Sequence, residues 1–303
     1  MPPLFPLTLA LYAVACTLYF VAVAQPQLVW PGRAARPALL LGILGQAVDI
    51  AWLCLHGAHP GSSAREAIFF VAWLLVGALP LVTVRHASPL LGTLLLPLAM
   101  VLDVVARVVP VHEAHALRGG AAHSPALLSA HIFSATLGTA LFGVAAAASV
   151  VYLLAERRLK RRLPALGLGL GLGLGAINAA GTTGARGAAR PSLETLDSWN
   201  RYGITFGFLA LTIAALTGTS WLLLSGGSAI AGRGLGDVVR FLFGKPQYTL
   251  SIITWLIYAA LLGARLLAGL RGRRAAVLTL TGFCAALSVL AVYLLRDVRG
   301  QAP

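Results

Sequence analysis

The chain has 303 residues, 58% of them hydrophobic and only 11% charged, with a formal net charge of +14. Its mean hydropathy is +0.85. A soluble domain covers its surface with about 25% charged residues, so a water-soluble globule is excluded and lipid must solvate much of this chain. The basic surplus would suit nucleic acid, but Lys and Arg gather at the ends of apolar runs, most densely at Arg157, Arg158, Lys160, Arg161 and Arg162. That is how cytoplasmic loops hold topology against anionic lipid, and it argues against a nucleic-acid partner.

An all-α integral membrane bundle of about eight transmembrane helices is expected, as one polytopic domain over residues 1–303. The first run covers residues 4–24; Ala22-Val23-Ala24 resembles a signal-peptidase site, but no Lys or Arg precedes the run, so a retained helix is expected. The second covers 38–55, behind Arg33 and Arg36. The third covers 67–84 and stops at Arg85, and Ser88-Pro89 turns into the fourth, 90–109. A polar loop through Ser124 leads to the fifth run, 125–154. After the basic cluster, residues 166–175 alternate Leu and Gly. Each Gly costs a helix about 1 kcal/mol relative to Ala, so residues 163–190 read as a flexible linker.

Pro191 and Ser192 open an amphipathic stretch with Leu193, Leu196 and Trp199 on one face. It is expected to be an interfacial helix leading into the sixth span, 202–224. A Gly-rich loop follows, then the seventh span, 248–270, ended by Arg271, Arg273 and Arg274. The eighth is 275–295. With the amino terminus outside, 14 basic residues fall on the inner side and 8 on the outer, so both termini are expected to be extracytoplasmic. Cys16, Cys54 and Cys284 lie singly in apolar runs without a CxxC, which gives neither a redox pair nor a zinc site.

On that topology His56, His59, His112, His115, His123 and His131 fall on the outer side and His86 on the inner. Imidazole is a common axial ligand of haem iron and of transition metals; for the loop histidines His112, His115 and His123 the plain solvated reading is favoured. His131 lies a turn or two inside the fifth span, with Ser134 and Gly138 on its face, an arrangement expected to leave room for a flat ligand. A neutral histidine hydrogen-bonded within the bundle accounts for the same placement. His59 precedes Pro60 just outside the third span, which Glu66 opens.

Ionisable groups within spans are expensive. Asp49, one turn after Gln46, is a candidate proton or ion site, and Asp103 and Arg107 are spaced to pair along one helix face. No nucleophile elbow, Walker loop, HExxH or paired-carboxylate pattern supports a hydrolase or transferase.

Several stretches, taken in order, resemble the cytochrome c assembly family of CcsA/HemX-type haem-handling membrane proteins. They are Ala155-Glu156-Arg157-Arg158-Leu159-Lys160, then Arg190-Pro191-Ser192-Leu193-Glu194-Thr195-Leu196-Asp197, then Gly207-Phe208, Leu211-Thr212 and Gly218. Ser251-Ile252-Ile253-Thr254-Trp255-Leu256-Ile257-Tyr258, Arg265, Arg271-Gly272-Arg273-Arg274-Ala275-Ala276 and Gly282-Phe283 continue the order. Gly57-Ala58-His59-Pro60 with Ser62, Glu66 and Trp73 is similar to the family's GHxPLSNxYE stretch, its histidine displaced by one position.

The resemblance implies haem bound between helices and passed to apocytochrome c outside the membrane. His131 would be an axial ligand of the haem iron, His59 a second, and nearby Arg65 a partner for propionates. The chain also departs from the family. Gly244-Lys245-Pro246-Gln247 stands where the family's Trp-rich loop ends in Trp-Asp-Pro-Lys, Gly263 replaces a histidine, and the last outer Gly-Leu-His-Ser is absent. These departures imply a divergent or accessory member, closer to the HemX branch, in a bacterial cytoplasmic membrane. Two other readings stay open: a haem-free structural partner subunit of a biogenesis complex, and a small-molecule or metal transporter using Asp49 and the outer histidines.

Overall fold

The computed structural model describes residues 2–25, 27–58, 60, 63–83, 88–108, 125–167, 191–225, 243–244 and 246–298. Among them all regular structure is helical, in eight helices: α1 (Phe5–Ala24), α2 (Trp30–Leu55), α3 (Ala64–Thr83), α4 (Pro89–Val108), α5 (Pro125–Gly167), α6 (Leu193–Ser225), α7 (Pro246–Leu267) and α8 (Arg273–Val298). Each is long and apolar enough to cross a membrane. A helix closes its own backbone hydrogen bonds, and hydrocarbon offers no others. The chain is an integral membrane protein, and side chains such as Leu41, Leu44, Phe206 and Leu209 point outward from the bundle.

Three helices run well beyond the apolar runs at one end. α2 starts at Trp30 with Pro31 in its first turn, so Arg33 and Arg36 are helical. α5 continues through the basic cluster to Gly167; its 43 residues span roughly 65 Å, about twice the hydrocarbon thickness. The first five residues of the expected linker, 163–167, are therefore helical, and the remainder lies outside the described residues.

α6 corrects a third expectation. Ser192 Oγ accepts the Thr195 N–H at 3.0 Å, capping a helix that runs unbroken into the span. Leu196 is 1% exposed and Trp199 packs on the core. The amphipathic face turns into the bundle and does not lie on the membrane surface.

α5 is the hub. One apolar cluster joins α1–α4 to it through Ala140, Val144 and Ala147, and a second joins α6–α8 through Phe142, Ala145 and Ala146. Small residues let backbones approach where lipid gives no hydrophobic drive between helices. Against α6 this approach is closest. A Cβ on Gly203 would stand 2.9 Å from both the Leu141 carbonyl and the Ala145 Cβ, and one on Gly207 would stand 2.6 Å from the Phe142 ring. Gly203→Leu is expected to cost at least the roughly 1–3 kcal/mol of an overpacked core, read as a lowered thermal midpoint in detergent.

At the opposite end of the bundle from His131, one buried network ties α5, α6, α7 and α8. The Asn200 amide nitrogen reaches the Ala145 carbonyl at 3.1 Å, Ser149 Oγ at 2.6 Å and Thr279 Oγ1 at 3.0 Å. Arg265 of α7 donates to Asn200 Oδ1 and lies 3.3 Å from Asp197 Oδ1. The guanidinium within the seventh span is thus neutralised inside the protein.

Candidate functional site

His131 lies in the second turn of α5, half-buried, with Nδ1 2.7 Å from the Ala214 carbonyl of α6. A carbonyl has no proton to give, so Nδ1 carries the hydrogen and donates it, which in the neutral ring puts the lone pair on Nε2. This is the tautomer a metal ligand needs, held by the outer nitrogen as metal-binding histidines are held. Gly218, one turn beyond Ala214, makes the contact feasible. A Cβ there would stand 2.6 Å from Nδ1 and 2.7 Å from Cε1 of the ring. Among the described residues none hydrogen-bonds Nε2.

Ser134 and Gly138 do not leave the expected gap. Ser134 Oγ donates within its own helix, to the Ala130 carbonyl at 2.6 Å, with the His131 carbonyl at 3.1 Å. The space above Gly138 is filled by α6 backbone, with the Gly207 carbonyl 3.2 Å from where a Cβ would sit. The face below the imidazole is a helix contact, and room for the ring is made by Gly218 instead. That residue and the Ala214 carbonyl were not foreseen, because they stand more than 80 residues away in sequence.

Arg65 and Glu66 are placed by the start of α3, where Ser63 Oγ accepts the Glu66 N–H at 3.3 Å. Arg65 is half-buried, its Nε 3.9 Å from Glu66 Oε1 and without a hydrogen-bond partner among the described residues. The structure does not bring it against His131. That ring turns to α6, while Phe133, two residues on, meets Phe70 of α3 at 5.9 Å between centroids. His59, His86, His112, His115 and His123 lie outside the described residues.

His56 is described, at the carboxyl end of α2. Its Nδ1 stands 2.7 Å from the Trp52 carbonyl and its ring lies on the Trp52 indole, 4.0 Å between centroids. Gly57, at φ 82°, ends the helix there in a conformation other residues resist. By the same argument as for His131, the free nitrogen of this exposed imidazole is Nε2.

The same end of the α1–α4 half holds a buried polar cluster. Tyr12 donates to Gln46 Oε1 at 2.7 Å, and Gln46 Nε2 donates to Asp103 Oδ1 at 2.9 Å and the Phe69 carbonyl at 3.1 Å. Asp49 Oδ1 accepts the Leu4 N–H at 2.8 Å. The expected Asp103–Arg107 ion pair is not formed. Arg107 stacks its guanidinium over Phe5 and Phe69, 4.7 Å from each centroid, and Asp103 takes the Gln46 amide. Among the described residues no three His, Cys, Asp or Glu side chains converge as a metal site.

Comparison with known proteins finds one family over most of the chain. The family model described as cytochrome C assembly protein matches residues 62–300, from just before α3 to beyond α8. The chain is 27% identical to a cytochrome c biogenesis protein CcsA of Gloeothece citriformis, over 88% of this chain and 89% of that protein. It is 28% identical to one of Synechococcus sp., over 77% and 73%, and 27% identical to one of Heterosigma akashiwo, over 75% and 71%. A match that takes in α5, its partner helices and the Asp197–Arg265 network makes the chain a member of the cytochrome c assembly protein family.

Proposed function

We propose that this protein holds haem at the His131 end of the bundle and handles it for cytochrome c assembly, in an accessory role, with that end facing outward from a bacterial cytoplasmic membrane. The observation that carries the reading is the Nδ1–Ala214 hydrogen bond, which fixes the imidazole with Nε2 free to ligate. The family and the curated relatives named for cytochrome c biogenesis support it. Bound haem would supply an iron that takes imidazole ligands and two propionate carboxylates. His131 Nε2 would ligate the iron. A second imidazole would come from between α2 and α3, from His59 or from His56, whose Nδ1 faces the Trp52 carbonyl. Arg65, with Nε unpaired, would meet a propionate through charge-assisted bonds.

The accessory role rests on what the chain lacks. Gly263 offers no ligand in α7, and Gly244-Lys245-Pro246-Gln247 carries no aromatic platform. Apocytochrome c, or another biogenesis protein, is the partner this reading names.

The test is the visible spectrum of the full chain purified in detergent from haem-replete cells, oxidised and reduced. A Soret band with near-stoichiometric haem is expected. A spectrum without one overturns the haem reading and leaves the haem-free partner subunit, which the missing ligand at Gly263 also favours.

A further inference from the structure

We propose that the interior of the α1–α4 half binds one exchangeable monovalent cation, a proton or an alkali-metal ion, at Asp49, with Thr8 and Asp103 beside it. Asp49 is 0% and Asp103 1% exposed, both within membrane spans. Among the described residues Arg107 is the cation whose charge acts on both. It closes an ion pair with neither, since its guanidinium is held over the rings of Phe5 and Phe69 and two of its nitrogens lack partners. Arg107 is shared with Glu66 as well, so neither buried carboxyl has a cation of its own where uncompensated charge is costly. Glu66, at the rim, faces Arg65 as well as Arg107.

Unpaired oxygens mark the place. Asp49 Oδ2 and Thr8 Oγ1 are buried without a hydrogen-bond partner, and Thr8 is only 2% exposed. They belong to one helix crossing. Thr8 packs against Gly45, one turn before Asp49, and Leu4, one turn before Thr8, gives its N–H to the other Asp49 oxygen. Buried polar atoms are almost always satisfied, so a carboxylate oxygen and a hydroxyl left open at one helix crossing call for a proton on the carboxyl or an alkali ion that both oxygens coordinate. Tyr12 and Gln46 face the pair from α1 and α2, and Gln46 fixes Asp103 by its amide. The open Asp49 carboxylate carries one negative charge and the Thr8 hydroxyl none, so a single-charge ion balances the site.

The experiment uses the full chain in lipid nanodiscs and separates the two sources. For a proton, infrared spectra in choline buffer show a carboxylic-acid carbonyl band that shifts in D2O. For an alkali ion, the thermal midpoint rises in NaCl or KCl over choline chloride at equal ionic strength. Whichever signal the wild type gives is expected to be lost in Asp49→Asn and shifted in Thr8→Val. Should Asp49→Asn fail to fold, Asp103→Asn and Thr8→Val carry the comparison. A wild type with neither signal overturns the proposal, as does a signal unchanged in every variant that folds.

Discussion

His131→Ala is expected to strip the purified protein of its Soret band, with a loss of haem affinity beyond the roughly 100-fold that outer-shell partners of a metal ligand command. The imidazole is the group whose protonation is fixed for ligation, by the Ala214 carbonyl 2.7 Å from Nδ1. A loss on removing it would still fit a merely structural histidine, so a second substitution must separate the two. Gly218→Val leaves the imidazole in place and fills the space its Nδ1–Cε1 edge occupies, where even a Cβ would stand 2.6 Å away. The ring must turn and give up its hydrogen bond to Ala214. Haem affinity is expected to fall about 10- to 100-fold, with a Soret maximum displaced from the wild-type position while the protein stays folded. His131→Gln, which keeps a donor for Ala214 but offers iron no imidazole, is expected to retain wild-type thermal stability and lose the band. A band that survives all three changes unaltered places the ligand elsewhere.

Much of the fold was legible in the sequence, because hydrocarbon demands about 20 apolar residues per crossing and the chain supplies them eight times. Helix ends were not. Hydropathy measures the apolar length of a helix and not the helix itself, so Arg33, Arg36 and the cluster after Arg157 looked like loops although α2 and α5 carry them. Period alone placed Leu196 and Trp199 on one face but could not tell lipid surface from bundle interior. Asp103 and Arg107 had the right spacing to pair. Spacing along one helix is blind to what stands across the bundle, and there Gln46 and two aromatic rings proved the better partners. At the candidate site, His131 was readable as an imidazole near a helix end. Its fixed tautomer was not, since that depends on a carbonyl and a glycine brought together by the α5–α6 contact.

Arg265 should prove the costliest side chain to truncate. Its side chain is 5% exposed, against 23% for Asp197, and Asn200 is 3% exposed. Arg265→Ala leaves a shielded carboxylate and a buried amide oxygen without a donor. Breaking a buried pair by removing one partner costs about 3–5 kcal/mol, most of it the penalty on the charge left behind. The contrast is Lys160–Glu156, 2.7 Å apart but with the lysine 63% exposed. Water screens that pair, and Lys160→Ala is expected to cost less than about 0.5 kcal/mol. Arg265→Lys keeps the charge without the planar fork that reaches Asp197 and Asn200 together, so its midpoint in thermal unfolding is expected to fall between wild type and Arg265→Ala. Asp197→Asn should be milder than Arg265→Ala, because Asn200 still engages the guanidinium. Were Arg265→Ala as stable as Lys160→Ala, the network would be an ornament of α5–α8 packing and the small residues along α5 would hold those helices alone.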